Sequence, residues 1–203
     1  MKLILMTTPE FFVEENNILN SLFEEGLDIL HLRKPGAEPV FSERLLTLLP
    51  EKWHKKIVAH DHFYLKNEYK LKGIHISNQN HTIPINYTGH ISRTCHSISQ
   101  LREYKNKYNY VFLGPIYNSI SHSSLLSSFS MRELEKAAQE GLIDSKVYAI
   151  GGIRKDNIER MKELGFGGVV VCGDLWSRFD LHQSYDYKEL IEYFRKLKHG
   201  IIW

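Results

Sequence analysis

The sequence predicts an α/β protein: a single (β/α)8 TIM barrel of parallel strands occupying residues 1–203 as one domain. Two observations predict it. Eight short apolar runs recur along the chain, most of them followed by an amphipathic segment. Most of these runs are continuously apolar rather than alternating, as expected of strands covered on both faces. Alternating strand–helix units imply a parallel sheet with its helices outside, and eight such units imply closure into a barrel. An open doubly wound sheet is the alternative, but Gly151 and Gly152 do not extend to a dinucleotide-binding glycine pattern after the first strand.

The elements follow in chain order. Leu3–Met6 is the first strand. A helix over Glu10–Glu24 starts after Pro9 and stops at Gly26, a residue suited to the position just past a helix end. Leu27–Leu32, Lys56–Ala59 and Gly73–Ile76 are the next three strands. The stretch from Asn78 to Gly89 holds Pro84 and has little helical periodicity, so an irregular crossover is expected there. His90–Thr94 is the fifth strand and Ile98–Tyr108 its helix. Tyr110–Leu113 is the sixth. The serine-rich Tyr117–Ser130 stretch reads as a loop, either a lid over the site or a plain surface connection. Ser130, with Glu133 three residues on, has capping-box spacing for a helix over Ser130–Glu140. Val147–Ile150, a helix over Lys155–Leu164, Gly168–Cys172 and a helix over Tyr187–Lys198 complete the count.

Composition excludes several classes. The chain has 203 residues, 42% hydrophobic and 25% charged, with a net charge of +2. That is an ordinary globular composition, and too weak a positive charge for a nucleic-acid footprint. Lys52, His54, Lys55 and Lys56 read as a solvated face. No run approaches the roughly 20 apolar residues of a membrane span, and Met1–Pro9 lacks the features of a signal peptide. Cys95 and Cys172 have neither metal-ligand nor disulfide spacing, which fits a reducing, cytoplasmic setting.

In barrels of this kind chemistry sits at the strand C-termini. The second strand ends in His31-Leu-Arg33-Lys34, where Arg33 and Lys34 are either an anion clamp or members of an ion pair. The third ends in His60-Asp61-His62. Neighbours on a strand point to opposite faces, so these three cannot share one zinc ion. A lone Asp61 is a poor Mg²⁺ site, because that ion wants several oxygens. His96 follows the fifth strand. Alternation places it with Ser92 and Thr94 rather than with Cys95, as either an acid/base group or a core histidine. Gly151–Gly152 and Cys172–Gly173, after the last two strands, suit backbone cradling of a phosphate, or simply tight turns.

Six stretches come in order at suitable intervals: His31-Leu-Arg-Lys34, Ile57-Val-Ala-His-Asp61, Gly73-Ile-His-Ile76, Thr94-Cys-His-Ser97, Tyr110-Val-Phe-Leu-Gly-Pro-Ile116, and Ala149-Ile-Gly-Gly-Ile153 with Asn157. From Leu3 to Leu175 the chain resembles the thiamin phosphate synthase/TenI superfamily. The resemblance implies a small (β/α)8 barrel that binds a thiazole phosphate through the loops after strands seven and eight. It implies one of two activities. A synthase joins an aminopyrimidine diphosphate to a thiazole phosphate with Mg²⁺ and releases pyrophosphate; a TenI-like member isomerises a thiazole carboxylate phosphate to its aromatic form with a histidine.

The chain departs from the synthase pattern. His31 replaces a glutamine, His60-Asp61 an Asn-Asp pair, and Asn80 a second Mg²⁺ aspartate. Ser119-Ile-Ser-His122 stands in place of Thr-x-Thr-Lys, and Lys34 falls one residue early. The resemblance therefore implies a TenI-like tautomerase with His96 and Arg33 catalytic. His31, Lys34, His60, His122, Gly151, Gly152, Cys172 and Gly173 would hold substrate and phosphate. No cofactor is expected, or Mg²⁺ on Asp61 if the chain is a synthase. A non-catalytic thiazole phosphate-binding regulator is the remaining alternative. The expected partner is the small molecule, with no nucleic acid and no membrane, and a homodimer as the candidate assembly.

Overall fold

A computed structural model gives the architecture and describes residues 1–118, 120, 126–180 and 186–202. Its eight strands are β1 (Lys2–Met6), β2 (Ile29–Leu32), β3 (Ile57–Ala59), β4 (Gly73–Ile76), β5 (His90–Cys95), β6 (Tyr110–Leu113), β7 (Val147–Ile150) and β8 (Gly168–Val171). Each pairs in parallel with the next, and β1 closes the barrel against β8. The closed parallel barrel is thus the fold expected from the run count.

Alternation sorts each strand into two faces. Leu3, Leu5, Leu30, Leu32, Val111, Leu113, Val169 and Val171 belong to the large outer core shared with the helices. Ile4, Ile29, Val58, Tyr110, Phe112, Tyr148 and Val170 form a separate inner cluster. The inner face is not uniform. Towards β7, β8 and β1 it is lined by Tyr148, Val170 and Ile4, whereas β2 to β5 contribute buried His31, His60, His75 and Ser92. Barrel interiors are ordinarily filled by branched aliphatic residues, so this polar sector needs its own explanation.

The helices are α1 (Glu15–Glu24), α2 (Pro39–Leu48), α3 (Glu51–His54), α4 (Leu65–Glu68), α5 (Ile98–Tyr104), α6 (Met131–Gln139), α7 (Ile158–Glu163), α8 (Gly173–Trp176) and α9 (Lys188–Ile202), with a 3₁₀ turn at Lys155–Asn157. The Ser130–Glu133 capping box is present at α6. The crossover between β4 and β5 is irregular, as Pro84 predicts. The first helix begins at Glu15, not Glu10. Residues before it fold over Lys34, whose Nζ donates to the Glu10 carbonyl at 2.7 Å and lies 4.3 Å from the Phe11 ring centroid. The helix over 39–48 was not predicted; Pro39 at its start and buried Ser42, Leu45 and Leu46 are its signature.

Candidate active site

At the C-terminal end of the barrel, just below its mouth, three histidines from adjacent strands meet. His31 comes from β2, His60 immediately follows β3, and His75 comes from β4; they are 0%, 8% and 1% exposed. His31 Nδ1 lies 2.7 Å from His60 Nε2, and His31 Nε2 lies 2.6 Å from the Tyr110 hydroxyl. His75 Nδ1 meets Ser92 Oγ and His75 Nε2 meets Thr94 Oγ1, both at 2.8 Å. The inward placement of Ser92 and Thr94 follows the alternation expected for the fifth strand.

Burial pushes all three imidazoles below their ordinary range, His75 to about 3, because a charge there loses its water. Nearby charge adds to this: Arg33 acts on His60 and His75, and Arg93 on His75. The three are therefore neutral at neutral pH. Their nitrogens lie within 4.8 Å of one another, a donor set of the kind that binds zinc or nickel. Their orientation points elsewhere. The His60 and His75 rings lie face to face, 4.3 Å apart and 20° from parallel, so their in-plane lone pairs do not converge.

The rim above this floor carries most of the other sequence-predicted residues. Arg33 is half-buried, and its guanidinium has no hydrogen-bond or ion-pair partner among the described residues. Lys34, its neighbour, is 1% exposed and paired with Glu15 at 2.6 Å. Its ammonium is committed to this pair, to the Glu10 carbonyl and to the Phe11 face, so Lys34 takes the ion-pair reading rather than reaching the mouth. Burial raises the Glu15 carboxyl to about 7, with Lys34 opposing that rise. Asp61 accepts from the Lys34 amide at 3.2 Å and His62 bonds the Ala37 carbonyl at 3.0 Å. His60, Asp61 and His62 thus diverge: alternation turns Asp61 away from His60, and His62, with φ of 51°, has left the strand.

His96 is exposed at the end of β5. Its Nδ1 lies 3.0 Å from the Gly114 carbonyl at the end of β6, and its backbone N–H donates to Gln100 Oε1 at 2.8 Å. A carbonyl only accepts, so Nδ1 carries the proton and Nε2 is left with a lone pair. Exposure disposes of the core-histidine reading.

Gly151 and Gly152 have φ of +95° and +63°. A Cβ on Gly151 would sit 2.5 Å from Pro115 Cβ, and one on Gly152 2.4 Å from the Asn118 carbonyl oxygen. The loop after β6 therefore rests on the turn after β7, and this packing alone demands glycine. Gly173 opens α8, and Cys172 just before it has its thiol raised to about 11 by burial. His122 and residues 119, 121, 123, 124 and 125 of the expected lid lie outside the described residues.

The fold thus gathers His31, Arg33, His60, Asp61, His96 and the two glycine turns at one end of the barrel. Sequence reading placed His75 at the end of the fourth strand without giving it a role, and missed Tyr110 and Glu15. His75 had a signal: with His31 and His60 it falls at an inward position near the ends of consecutive strands.

Mg²⁺, which the resemblance implies for a synthase, finds a thin donor set here. Asp61 offers one carboxylate, while Asn80 turns its amide nitrogen onto the His60 carbonyl at 2.9 Å. One shared carboxylate falls short of the oxygen-rich shell that ion takes.

Residues 3–175 match a protein family described as thiamine monophosphate synthase. A crystal structure of thiamine phosphate pyrophosphorylase from Bacteroides thetaiotaomicron is 51% identical, covering 98% of this chain and 97% of that one, with a TM-score of 0.91. A thiamine-phosphate synthase of Dictyoglomus turgidum is 25% identical over 90% of this chain and 86% of its own length. The Pyrococcus furiosus thiamine phosphate pyrophosphorylase structure, 16% identical with a TM-score of 0.77 over 99% of this chain and 95% of its own, shares the fold.

Proposed function

The chain belongs to the thiamine monophosphate synthase/TenI family of thiamin biosynthesis, and from that premise we propose that it is a TenI-like tautomerase that converts a thiazole carboxylate phosphate into its aromatic form. The observation that carries this reading is the 3.0 Å contact from His96 Nδ1 to the Gly114 carbonyl. It sets aside Nε2, on an exposed ring at the mouth, as a proton acceptor. In the reaction Nε2 takes a proton from one ring position of the substrate. The imidazolium so formed is stabilised by the Gly114 carbonyl and returns the proton to a second position. General acid/base help of this kind is worth roughly 10²–10⁴-fold.

Arg33 is the cation for the substrate's carboxylate or phosphate, since its guanidinium is uncommitted among the described residues. The backbone of the Gly151–Gly152 and Cys172–Gly173 turns is assigned to the phosphate on the strength of the family resemblance. The reading places the protein in the cytoplasm, and among the described residues no helix is long and apolar enough to cross a membrane.

The names of the relatives favour a second reading, a divergent Mg²⁺-dependent synthase. The thin carboxylate set at Asp61 and the commitment of Lys34 to Glu15 weigh against it. An assay of purified protein with the thiazole tautomer, and separately with aminopyrimidine diphosphate plus thiazole phosphate, tests the choice with and without Mg²⁺. The expected result is tautomer conversion insensitive to chelation. Pyrophosphate release at normal turnover, dependent on Mg²⁺, overturns it in favour of the synthase.

A further inference from the structure

The buried histidines differ from His96 in what they bond. His96 faces a carbonyl, which fixes its tautomer. His31 bonds another imidazole and a phenol, and His75 bonds two hydroxyls. Each of these partners both donates and accepts, so nothing that His31 bonds dictates which of its nitrogens carries the proton. Of the six ring nitrogens, five are bonded to these groups. The sixth, His60 Nδ1, has no partner among the described residues, and His60 is the most exposed of the three.

We propose that Tyr110, His31 and His60 form a reversible hydrogen-bond chain that ends at His60 Nδ1 and offers the bound heterocycle either an N–H or a lone pair. In one polarity the Tyr110 hydroxyl donates to His31 Nε2, His31 Nδ1–H donates to His60 Nε2, and His60 Nδ1–H faces the ligand. In the other every bond is reversed: the ligand donates to His60 Nδ1, His60 Nε2–H donates to His31 Nδ1, and His31 Nε2–H donates to the phenol oxygen. The phenol then turns its own proton away from His31, on the side of Ser92, whose hydroxyl is near enough to act on the phenol. Each ring carries one N–H and the phenol keeps its proton in both polarities, so the two differ by no net charge. Depressed basicity keeps the chain neutral in both.

This inference rests on the tautomerase reading and deepens it. The substrate and product of a tautomerisation differ in which ring positions donate and which accept. A fixed donor such as a backbone N–H matches one form only, whereas a reversible chain matches both. His60 is then a binding group at the ligand, and His31 and Tyr110 are positioning residues that act through it.

Nitrogen NMR of the imidazole rings in the intact protein tests this without turnover. In the free protein, His31 and His60 should each show shifts between those of protonated and bare nitrogens, as two exchanging neutral tautomers give. Inorganic phosphate should leave them there. Saturating aromatic thiazole carboxylate phosphate should drive both rings to one tautomer together. Tyr110→Phe leaves His31 Nε2 against a ring that cannot bond it. An unpaired buried N–H is rarer than an unpaired acceptor, so the pair should freeze with His60 Nδ1 protonated before any ligand is added. Affinity for the ligand form that must donate to His60 should then fall roughly 2–10-fold, and the other form should be spared. Ser92→Ala removes the outlet for the phenol proton and should bias the chain the same way, should Tyr110→Phe not fold.

A single His31 tautomer, unchanged by ligand and by either variant, overturns the proposal. So does stoichiometric Zn²⁺ uptake that moves His31, His60 and His75 to metal-bound shifts. Exchanging tautomers in a protein that fails the tautomer assay keep the chain and reject the tautomerase. Conversion of the tautomer over a frozen chain does the reverse.

Discussion

His96 on the rim and His75 on the floor belong to neighbouring strands' ends, yet their surroundings assign them opposite work. The His96 ring is exposed and bonds one carbonyl. The His75 ring is 1% exposed, bonds two hydroxyls, and is held neutral down to about pH 3 by burial. Arg33 and Lys34, adjacent in sequence, repeat the contrast. Arg33 is half-buried with an uncommitted guanidinium among the described residues, and Lys34 is buried against Glu15. Residue type does not separate the groups that meet a ligand from those that build the barrel; burial and the chemistry of the partner do.

The comparison breaks most visibly at Lys34. Removing one member of a buried ion pair strands the other, at a cost of about 3–5 kcal/mol. Lys34→Met should lower stability by that amount in denaturant unfolding, and adding Glu15→Leu should restore most of it. Little loss in the single variant would return Lys34 to the rim.

A smaller effect is expected at His75. Below pH 6.5 the unfolded chain takes up a proton that the folded chain refuses until about pH 3. The unfolded state binds more protons in that window, so stability conferred by neutral His75 is lost as pH falls through it. His75→Gln should cost about 1–3 kcal/mol at pH 7 by leaving a hydroxyl unpaired. Melting measured from pH 7 down to 4 should show the gap from the parent narrowing. A constant gap contradicts the assignment.

Glu15 sharpens the comparison through the sign of its pH dependence. Its carboxyl is raised to about 7 against an ordinary 4.5, so between those values the folded chain holds more protons than the unfolded one. This contribution falls as pH rises from 4.5 to 7, the opposite slope to that of His75. Relative to Glu15→Gln, the parent should lose about 2–3 kcal/mol across that window, the raised value already including the opposing effect of Lys34. Parallel stability profiles would place Glu15 in an ordinary ionised pair throughout.

Much of this was legible in the sequence. Gly73–Ile76, Tyr110–Leu113 and Val147–Ile150 are strands over the predicted residues, because a strand buried on both faces announces itself as an apolar run. Alternation also placed Ser92 and Thr94 inward and separated His96 from Cys95. Long-range pairing was not legible. Nothing local in Glu15 shows that a lysine 19 residues away will be buried against it. The histidine cluster was half legible. Its inward parity lay in the sequence, but the partnership with Tyr110, 79 residues from His31, depends on barrel closure.

The central claim is that the rim histidine moves the proton and the floor does not. His96→Gln keeps approximate size but cannot shuttle a proton at neutral pH. Tautomer turnover and the melting temperature of this variant, measured on one preparation, test the claim most directly. The account predicts a fall in turnover of roughly 10²-fold or more, with the melting temperature and the affinity for aromatic thiazole phosphate nearly unchanged. Undiminished turnover, or a large loss of thermal stability with no selective loss of turnover, would contradict it.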